Sequence, residues 1–274
     1  MMNLHGKLGN ALRLYAHYAR VSTRGQLQYR ASFAMSVTGI FLVSACEIVA
    51  IWALFDRFGQ IRGWTLPEIA LFYGTISVAF AISDALGRGF DQFGPMVRDG
   101  HFDRLLVRPR STALQLFGQE LTLRRLGRLV QGLIILGYAA TAGTIDWTVP
   151  RAILLVASIA CGVCAFLGVV VLQATSAFWT VDALEVWNAF THGGMMMSQY
   201  PLAIYRWWFR ALFTFAIPLG CASYFPGVAI LGRADPLGTP AIVGWIAPLA
   251  GPVFLIVCLQ VWRIGVRRYQ STGS

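Results

Sequence analysis

The sequence predicts an all-α membrane protein with six transmembrane helices, and three observations support this fold class. Hydrophobic residues make up 57% of the chain and charged residues only 12%, against about 45–50% and about 25% in soluble domains. Residues 32–55 and 69–86 are apolar and long enough to cross a bilayer. Residues 87–111 follow them and contain five arginines, which is typical of a cytoplasmic loop. We therefore interpret residues 1–274 as a single membrane domain.

The net charge of +10 is distributed unevenly along the chain. Sixteen of the 22 lysine and arginine residues lie before residue 32, between residues 87 and 128, or after residue 262. Because cytoplasmic segments of membrane proteins are enriched in basic residues, this pattern places both termini in the cytoplasm and requires an even number of spans. The same pattern argues against nucleic acid as the partner of these charges.

The predicted membrane domain has three parts. Residues 1–31 are expected to form an amphipathic helix in the cytoplasmic interface, because their apolar and arginine side chains fall on separate helical faces. Residues 32–262 hold the six spans, and residues 263–274 form a basic cytoplasmic tail. The predicted spans occupy residues 32–55, 69–86, 112–144 (a helix whose first turns project into the cytoplasm), 151–177, 182–199 and 243–262.

Three threonines, each followed within two residues by a proline, precede predicted spans: Thr65, Thr148 and Thr239. A threonine side chain caps the start of a helix, and proline fits the first helical turn. We interpret all three as helices that begin at the outer face of the membrane.

The assignment of span 5 has two alternatives. Residues 207–230 are the more apolar stretch, but Pro218 and Pro226 interrupt them and proline bends or breaks a helix. Residues 182–199 contain no proline, and we assign the span to them. Residues 200–232 then form a re-entrant pair of short helices in the outer leaflet, which is possible where protein covers the broken backbone.

Two stretches resemble permeases of the ABC-2 type, and more narrowly a bacterial subfamily of ABC exporter permeases. One is MVRDGHFDRLLVRPRSTALQLF at residues 96–117, and the other covers residues 200–236. In the second stretch the matching positions are Tyr200-Pro201, Trp207-Trp208, Pro218, Pro226 and Gly232-Arg233. Arg206 stands where the family pattern has a proline, and this difference concerns the conformation of the local turn only. The likeness extends over essentially the whole chain.

The resemblance implies a permease subunit of an ATP-driven exporter, which moves an amphipathic or hydrophobic substrate outward across the bacterial cytoplasmic membrane. It also implies a cytoplasmic coupling helix between spans 2 and 3. The implied partners are two ABC ATPase subunits and a second permease chain, with a paralogue favoured over an identical copy. The sequence contains no G-x-x-x-x-G-K-[ST] phosphate-binding loop. ATP and Mg would therefore bind to the ATPase, and this chain would be neither an enzyme nor a cofactor carrier.

The loop between spans 2 and 3 is the main candidate site. Asp99-Gly100 is a turn signal, and Phe102, Leu105 and Leu106 then share one helical face. The resemblance implies that Phe102 is an apolar anchor in a groove of the ATPase. The implied polar rim consists of Arg98, Asp99, Asp103, Arg104 and Arg108. The alternative is an interfacial helix that rests on lipid.

A second candidate site lies within the membrane. Glu47 is a carboxylate in span 1, and intramembrane carboxylates are functional candidates by default. It would either line the pathway or pair with an arginine across a permease dimer. The other pathway or gate candidates are Met195, Met196, Met197, Tyr200, Pro201, Trp207 and Pro218. Simple packing is the alternative role for the methionines.

Other classes of membrane protein fit less well. A secondary transporter would need paired charges near the midplane, where only Glu47 qualifies. A non-transporting membrane scaffold is a further alternative. Motifs of membrane-embedded hydrolases are absent from the sequence. The C-x-x-C pair, Cys161 and Cys164, is interpreted as packing rather than as a redox or metal site.

Overall fold

The computed structural model describes residues 30–119, 126–180 and 184–269, and these are almost entirely helical. The helices are α1 (Arg30–Phe58), α2 (Leu66–Asp91), α3 (Phe93–Arg98), α4 (Asp103–Leu106), α5 (Thr112–Gln119), α6 (Leu126–Thr141), α7 (Val149–Ser176), α8 (Leu184–Asn188), α9 (Gly194–Ser198), α10 (Trp207–Ala211), α11 (Leu219–Ala222), α12 (Tyr224–Leu231), α13 (Ala241–Ile246) and α14 (Ala250–Arg268). Single turns of π-helix at Ala189–Gly193 and Leu212–Ala216 continue α8 and α10, and a 3₁₀ turn at Ala247–Leu249 joins α13 to α14.

Four helical stretches in the described part of the chain are long and apolar enough to cross a membrane. They are Phe33–Phe58, Leu66–Arg98, Val149–Ser176 and Ala241–Arg268, and they overlap predicted spans 1, 2, 4 and 6. The bent pair Trp207–Ala216 and Leu219–Leu231 would be a fifth if it forms one span. Predicted spans 3 and 5 correspond to shorter helices. Span 3 contains α6, and span 5 is the continuous helix formed by α8, the π turn and α9.

Helix α2 is the centre of the bundle, because it packs against both α6 and α7. Helix α14 also packs against α7. The contact between α7 and α14 is close enough to require a glycine, since a Cβ on Gly251 would lie 2.2 Å from the carbonyl oxygen of Cys161. Most side chains of α2 are buried, whereas α1 exposes much of its apolar surface.

Two of the three predicted threonine caps are confirmed. Thr65 and Thr148 are the N-cap residues of α2 and α7, as predicted. The Thr148 hydroxyl accepts from the Arg151 amide at 3.5 Å, whereas at Thr65 the backbone amide donates to the Glu68 carboxylate at 2.7 Å, as in a capping box. The third is wrong in its detail, because Pro240 and not Thr239 is the N-cap residue of α13, and the Thr239 hydroxyl donates to the Asp235 carboxylate.

The segment from α10 to α12 is sharply bent. Trp207–Ala216 and Leu219–Leu231 meet at an angle of 76°, and Pro218 lies at the break with a non-helical ψ of 47°. The lost amide donor and the fixed φ of proline account for this break. After the bend the chain reaches the start of α2, where Arg233 forms an ion pair with Glu68 at 2.8 Å.

Some sequence predictions fall on residues outside the described ranges. The interfacial helix predicted at residues 1–31 is one of these, apart from its last two residues, which already belong to α1. The predicted tail at residues 263–274 is helical as far as Arg268, since α14 continues past the predicted end of span 6. Helix α5 begins at Thr112, as predicted for the helix that leads into span 3.

Candidate coupling loop and intramembrane site

The polar loop, residues 92–111, connects α2 to α5 and contains two short helices. Helix α3 ends at Arg98, and Gly100 follows with a φ of +67°, a conformation that glycine adopts without strain. The His101 amide then donates to the Met96 carbonyl at 2.9 Å and closes the turn. The turn predicted at Asp99-Gly100 is therefore confirmed.

Phe102 is packed inside the protein, so its predicted role as an exposed anchor for a partner is wrong. Its side chain is 0% exposed, and its ring lies 5.0 Å from the rings of Phe93 and Tyr269. Leu105, from the same predicted face, is also buried. These side chains are drawn inward because several elements contribute apolar rings to one place. We call this group the aromatic cluster: Phe93, Phe102, Phe178, Trp262 and Tyr269.

Hydrogen bonds also hold the polar loop against α5, and α5 against α14. The Gln115 side-chain amide donates to the carbonyl oxygens of Leu105 at 3.1 Å and Arg110 at 3.2 Å. The indole nitrogen of Trp262 donates to the Thr112 hydroxyl at 3.1 Å. Gln115 therefore bonds the loop to α5, and Trp262 bonds α5 to α14.

The outward side of the polar loop carries apolar and charged groups together. Leu106 is 41% exposed and Val107 is 85% exposed. The predicted rim residues Arg98, Asp99, Arg104 and Arg108 are all exposed. Asp103 differs from them, because it is only partly exposed and lies beside Tyr269. Burial and the Asp103 carboxylate together raise the pKa of Tyr269.

Glu47 has a partner in its own chain. The Tyr73 hydroxyl donates to Oε2 of Glu47 at 3.2 Å and joins α1 to α2. Tyr200 lies within electrostatic reach of the same carboxylate. Glu47 thus has a hydrogen-bond partner on the next helix of its own chain, and Tyr200, another of the predicted pathway residues, lies near it.

Arg128 is a cation within the bundle that the sequence reasoning missed. Its guanidinium carbon lies 5.4 Å from the centre of the Phe80 ring, and Nη1 lies 3.5 Å from the Met195 sulfur. The Arg128 charge also acts on Tyr73, the partner of Glu47. The sequence grouped Arg128 with the cytoplasmic arginines. The apolar residues that follow Arg128 as far as Thr141 could have indicated that it lies on a helix of the bundle.

A comparison with protein-family models matches the family described as "ABC-2 family transporter protein" over residues 41–273. The chain belongs to the ABC-2 transporter family. It is a multi-pass membrane protein and a permease subunit of an ABC transporter, and the family implies partnership with an ABC ATPase. No curated protein and no solved structure matches the chain.

The structure separates the other pathway candidates of this ABC-2 permease. Met195 and Met197 are buried in the core, while Met196 is exposed on the opposite side of α9. The remaining candidates differ in exposure: Tyr200 is half-buried, Pro201 and Pro218 are buried, and Trp207 is exposed at the start of α10. Among these candidates, the contacts given above link two to charges within the bundle. Met195 contacts Arg128, and Tyr200 lies near Glu47.

Within the described residues of the ABC-2 permease, no group of three His, Cys, Asp or Glu side chains is placed to hold a metal ion. All five cysteines are free thiols. Cys161 contributes its backbone to the close contact with Gly251, which is consistent with a packing role for this part of α7.

Proposed function

We propose that this permease subunit belongs to an ATP-driven exporter, which moves an amphipathic or hydrophobic molecule outward across a bacterial cytoplasmic membrane. The observation that carries the proposal is the polar loop, which is held firmly by the aromatic cluster and exposes a mixed apolar and basic face. A permease driven by a separate ATPase needs such a surface, because a loosely held loop would absorb the motion of its partner. Exposed apolar side chains surrounded by charges are also typical of protein interfaces.

The proposed contact with the ATPase differs from the one that the sequence predicted. Leu106 and Val107 replace Phe102 and Leu105 as the apolar centre, because they are the exposed side chains. The charged rim comprises Arg98, Asp99, Arg104 and Arg108. In the complete transporter, two ATPase subunits bind ATP and Mg, and a second permease chain, a paralogue rather than an identical copy, completes the pathway.

The proposed topology has six spans, cytoplasmic termini and a re-entrant pair formed by α10 to α12. At one end of the bundle, the Trp187 indole donates to the Ser176 hydroxyl at 3.0 Å. At the other end, Gly232 lies against the Arg151 guanidinium, near the start of α7. The helix of residues 184–198 therefore begins at the end of the bundle where α7 ends, and α12 ends at the opposite end, where α7 begins. The 76° bend fits either a broken span or a pair that enters and returns, and we propose the pair because Pro218 interrupts the helix at the bend.

The coupling proposal can be tested with two substitutions on the exposed loop face. Leu106→Asp and Val107→Asp each place a carboxylate in the centre of the proposed contact, where an unpaired buried charge is strongly unfavourable. We expect both variants to insert normally but to lose co-purification of the ATPase. The matched control is Val149→Asp, since Val149 is equally apolar, 74% exposed and located at the start of α7. Normal ATPase recovery with both loop variants would contradict the proposal.

A further inference from the structure

An apolar groove lies between α1, α2 and α6, at the end of these helices that adjoins the turn of residues 59–65. Its volume is about 410 Å³, within the range of about 300–1,000 Å³ that is common for ligand sites. All three helices contribute to the walls, for example through Trp52, Ile69 and Ile134. Apart from one tryptophan and two tyrosines, the lining side chains are purely hydrocarbon. The groove therefore suits an apolar guest.

The groove opens sideways between α1 and α6. Val49 and Trp52 on α1 are exposed at the opening, and so are Ile134 and Tyr138 on α6. Ile69, by contrast, is buried and forms part of the floor. Since α1 is long and apolar enough to span a membrane, the opening faces lipid chains rather than water.

The end of the groove far from the turn is closed. There the Tyr73 hydroxyl donates to the Glu47 carboxylate at 3.2 Å and joins α2 to α1. Beyond this bond α1 and α6 approach closely, because a Cβ on Gly127 would lie 2.6 Å from the Val37 carbonyl oxygen. A helix of a partner protein is about 10–12 Å across and cannot continue past this end. A flexible hydrocarbon chain can end there.

The length of the groove corresponds to one leaflet of a bilayer. Glu47 at the closed end and Arg57 in the last turn of α1 are ten residues apart, which is about 15 Å along a helix. The hydrocarbon core of a bilayer is about 30 Å thick, so the acyl chains of one leaflet extend over about half of this distance. A chain whose tip lies at the closed end would therefore have its headgroup beside the turn.

The turn carries a surplus of positive charge. Arg57 and Arg62 are both exposed there, and Asp56 is the only carboxylate among residues 53–65, so this segment has one net positive charge. Basic residues are usually concentrated on the cytoplasmic side of a membrane, and two arginines in a turn at the proposed outer face depart from that rule. Arginine suits a phosphate partner, because its planar fork of donors matches the phosphate oxygens.

The other charges at this end of the bundle do not cancel the surplus, within the described part of the chain. Glu68 and Arg233 form an ion pair at 2.8 Å. Asp235 and Arg210 act on Tyr224 with opposite signs. The turn between α6 and α7, together with the first turn of α7, contains one carboxylate and one arginine. None of these groups adds an excess of negative charge beside the groove.

We propose that the groove binds one acyl chain of a phospholipid and that Arg57 and Arg62 bind its phosphate. In the proposed topology this lipid belongs to the outer leaflet. The charge of the turn favours an anionic phospholipid over a zwitterionic one, whose ammonium group it repels. The Tyr73 hydroxyl already has an acceptor, so an apolar chain leaves no donor unsatisfied there. The bound lipid fastens α1, which otherwise exposes much of its apolar surface, to the bundle.

Photo-crosslinking measures which lipid occupies the groove. p-Benzoylphenylalanine replaces Ile134 at the opening, and the purified transporter is placed in nanodiscs with equal amounts of phosphatidylglycerol and phosphatidylcholine that have identical acyl chains. The masses of the adducts formed on illumination give the ratio of the two lipids. We expect about a fivefold excess of phosphatidylglycerol, since one unit charge at about 4 Å changes an equilibrium in water by about this factor. At Val156, which is similarly exposed on α7 and lies outside the groove, the ratio should be about one.

The preference should depend on the two arginines of the turn. Arg57→Gln combined with Arg62→Gln should lower the ratio at position 134 to about one. Arg267→Gln combined with Arg268→Gln removes the same charge at the far end of α14 and should leave the ratio unchanged. Raising the salt concentration from about 0.1 M to about 1 M should also lower the ratio, because the screening length falls from about 10 Å to about 3 Å. A ratio near one in the parent, or a ratio that survives the loss of both arginines, would overturn the proposal.

Occupation of the groove itself is tested by filling it. Val49→Trp places a large side chain at the opening and should lower the yield of both lipid adducts at position 134. The matched control is Val43→Trp, since Val43 is exposed on the same helix but does not line the groove. Unchanged yields with Val49→Trp, or the same lipid preference at position 156, would contradict the assignment. The absence of any lipid adduct at position 134 would also overturn it, because a protein chain would then cover the groove.

Discussion

Phe102→Ala provides a quantitative test of how the polar loop is held. The side chain is completely buried, and its ring contacts Phe93 and Tyr269 at 5.0 Å, Phe178 at 5.8 Å and Trp262 at 6.4 Å. Truncation of a buried phenylalanine commonly costs about 3–5 kcal/mol, including the cavity that it leaves. Because the loss falls on the contact between the loop and the helices, we expect it to lower mainly the free energy of local loop opening.

Limited trypsin digestion of inverted membrane vesicles measures this local opening. The bond after Arg104 is in α4, next to the buried Leu105, and is cleaved only when the loop leaves the aromatic cluster. If opening is fast relative to cleavage, a loss of about 3 kcal/mol raises the cleavage rate roughly 150-fold. Phe102→Leu, which keeps most of the volume, should cost under about 1.5 kcal/mol and raise the rate roughly tenfold or less.

Leu106→Ala is the matched control for this measurement. Leu106 lies four residues away on the same loop but is 41% exposed, so its truncation should leave the cleavage rate almost unchanged. A cleavage rate after Arg104 that is the same in Phe102→Ala and the parent would refute the conclusion that the ring holds the loop. If Phe102→Ala and Leu106→Ala raised the cleavage rate equally, the loop would be sensitive to any truncation and the effect could not be assigned to the buried ring.

Three further predictions address packing, topology and the intramembrane carboxylate. Gly89→Ala should sharply reduce the yield of folded protein, because the added Cβ would lie 1.9 Å from the Leu116 carbonyl oxygen. Gly94→Ala should be tolerated in the same expression assay, because a Cβ there would have nothing within 4 Å beyond its chain neighbours and its own helix backbone. Ala203→Cys in a cysteine-free chain should react with an impermeant thiol reagent outside intact cells, and labelling only after the membrane is opened would contradict the re-entrant pair. Glu47→Ala should lower the free energy of unfolding by about 1–3 kcal/mol, because the hydroxyl of Tyr73 loses its acceptor. Glu47→Gln retains an acceptor and should have a smaller effect. Thermal unfolding of the purified complex measures both variants, and equal effects would argue against this hydrogen bond.

The helices that begin with a clear local signal were predicted well. The starts of α2 and α7 lie within two or three residues of the predicted positions, because threonine, proline and the apolar run act over a single turn. The turn at Gly100 was also predictable, since a left-handed backbone conformation has a strong residue preference. In both cases the interaction is local, so the neighbouring sequence contains the required information.

The candidate sites depended on contacts between distant segments. Phe102 was predicted to be an anchor for the ATPase because the family resemblance implied it, whereas its ring contacts come from α14 and the residues just after α7. Arg128 was assigned to the cytoplasm, although it packs against Phe80 from α2. The Tyr73 partner of Glu47 was missed for the same reason, since it lies on the next helix.

The sequence by itself determined that this is a helical membrane protein, where its longest helices begin, and which family it resembles. Hydrophobicity, charge distribution and helix-start signals are additive or local properties, so they can be read along the chain. Only the tertiary structure decided which loop residues are exposed, which side chain bonds the Glu47 carboxylate and which arginine lies inside the bundle. Those outcomes depend on the direction in which each side chain points, and this direction is set when helices that are far apart in sequence pack together.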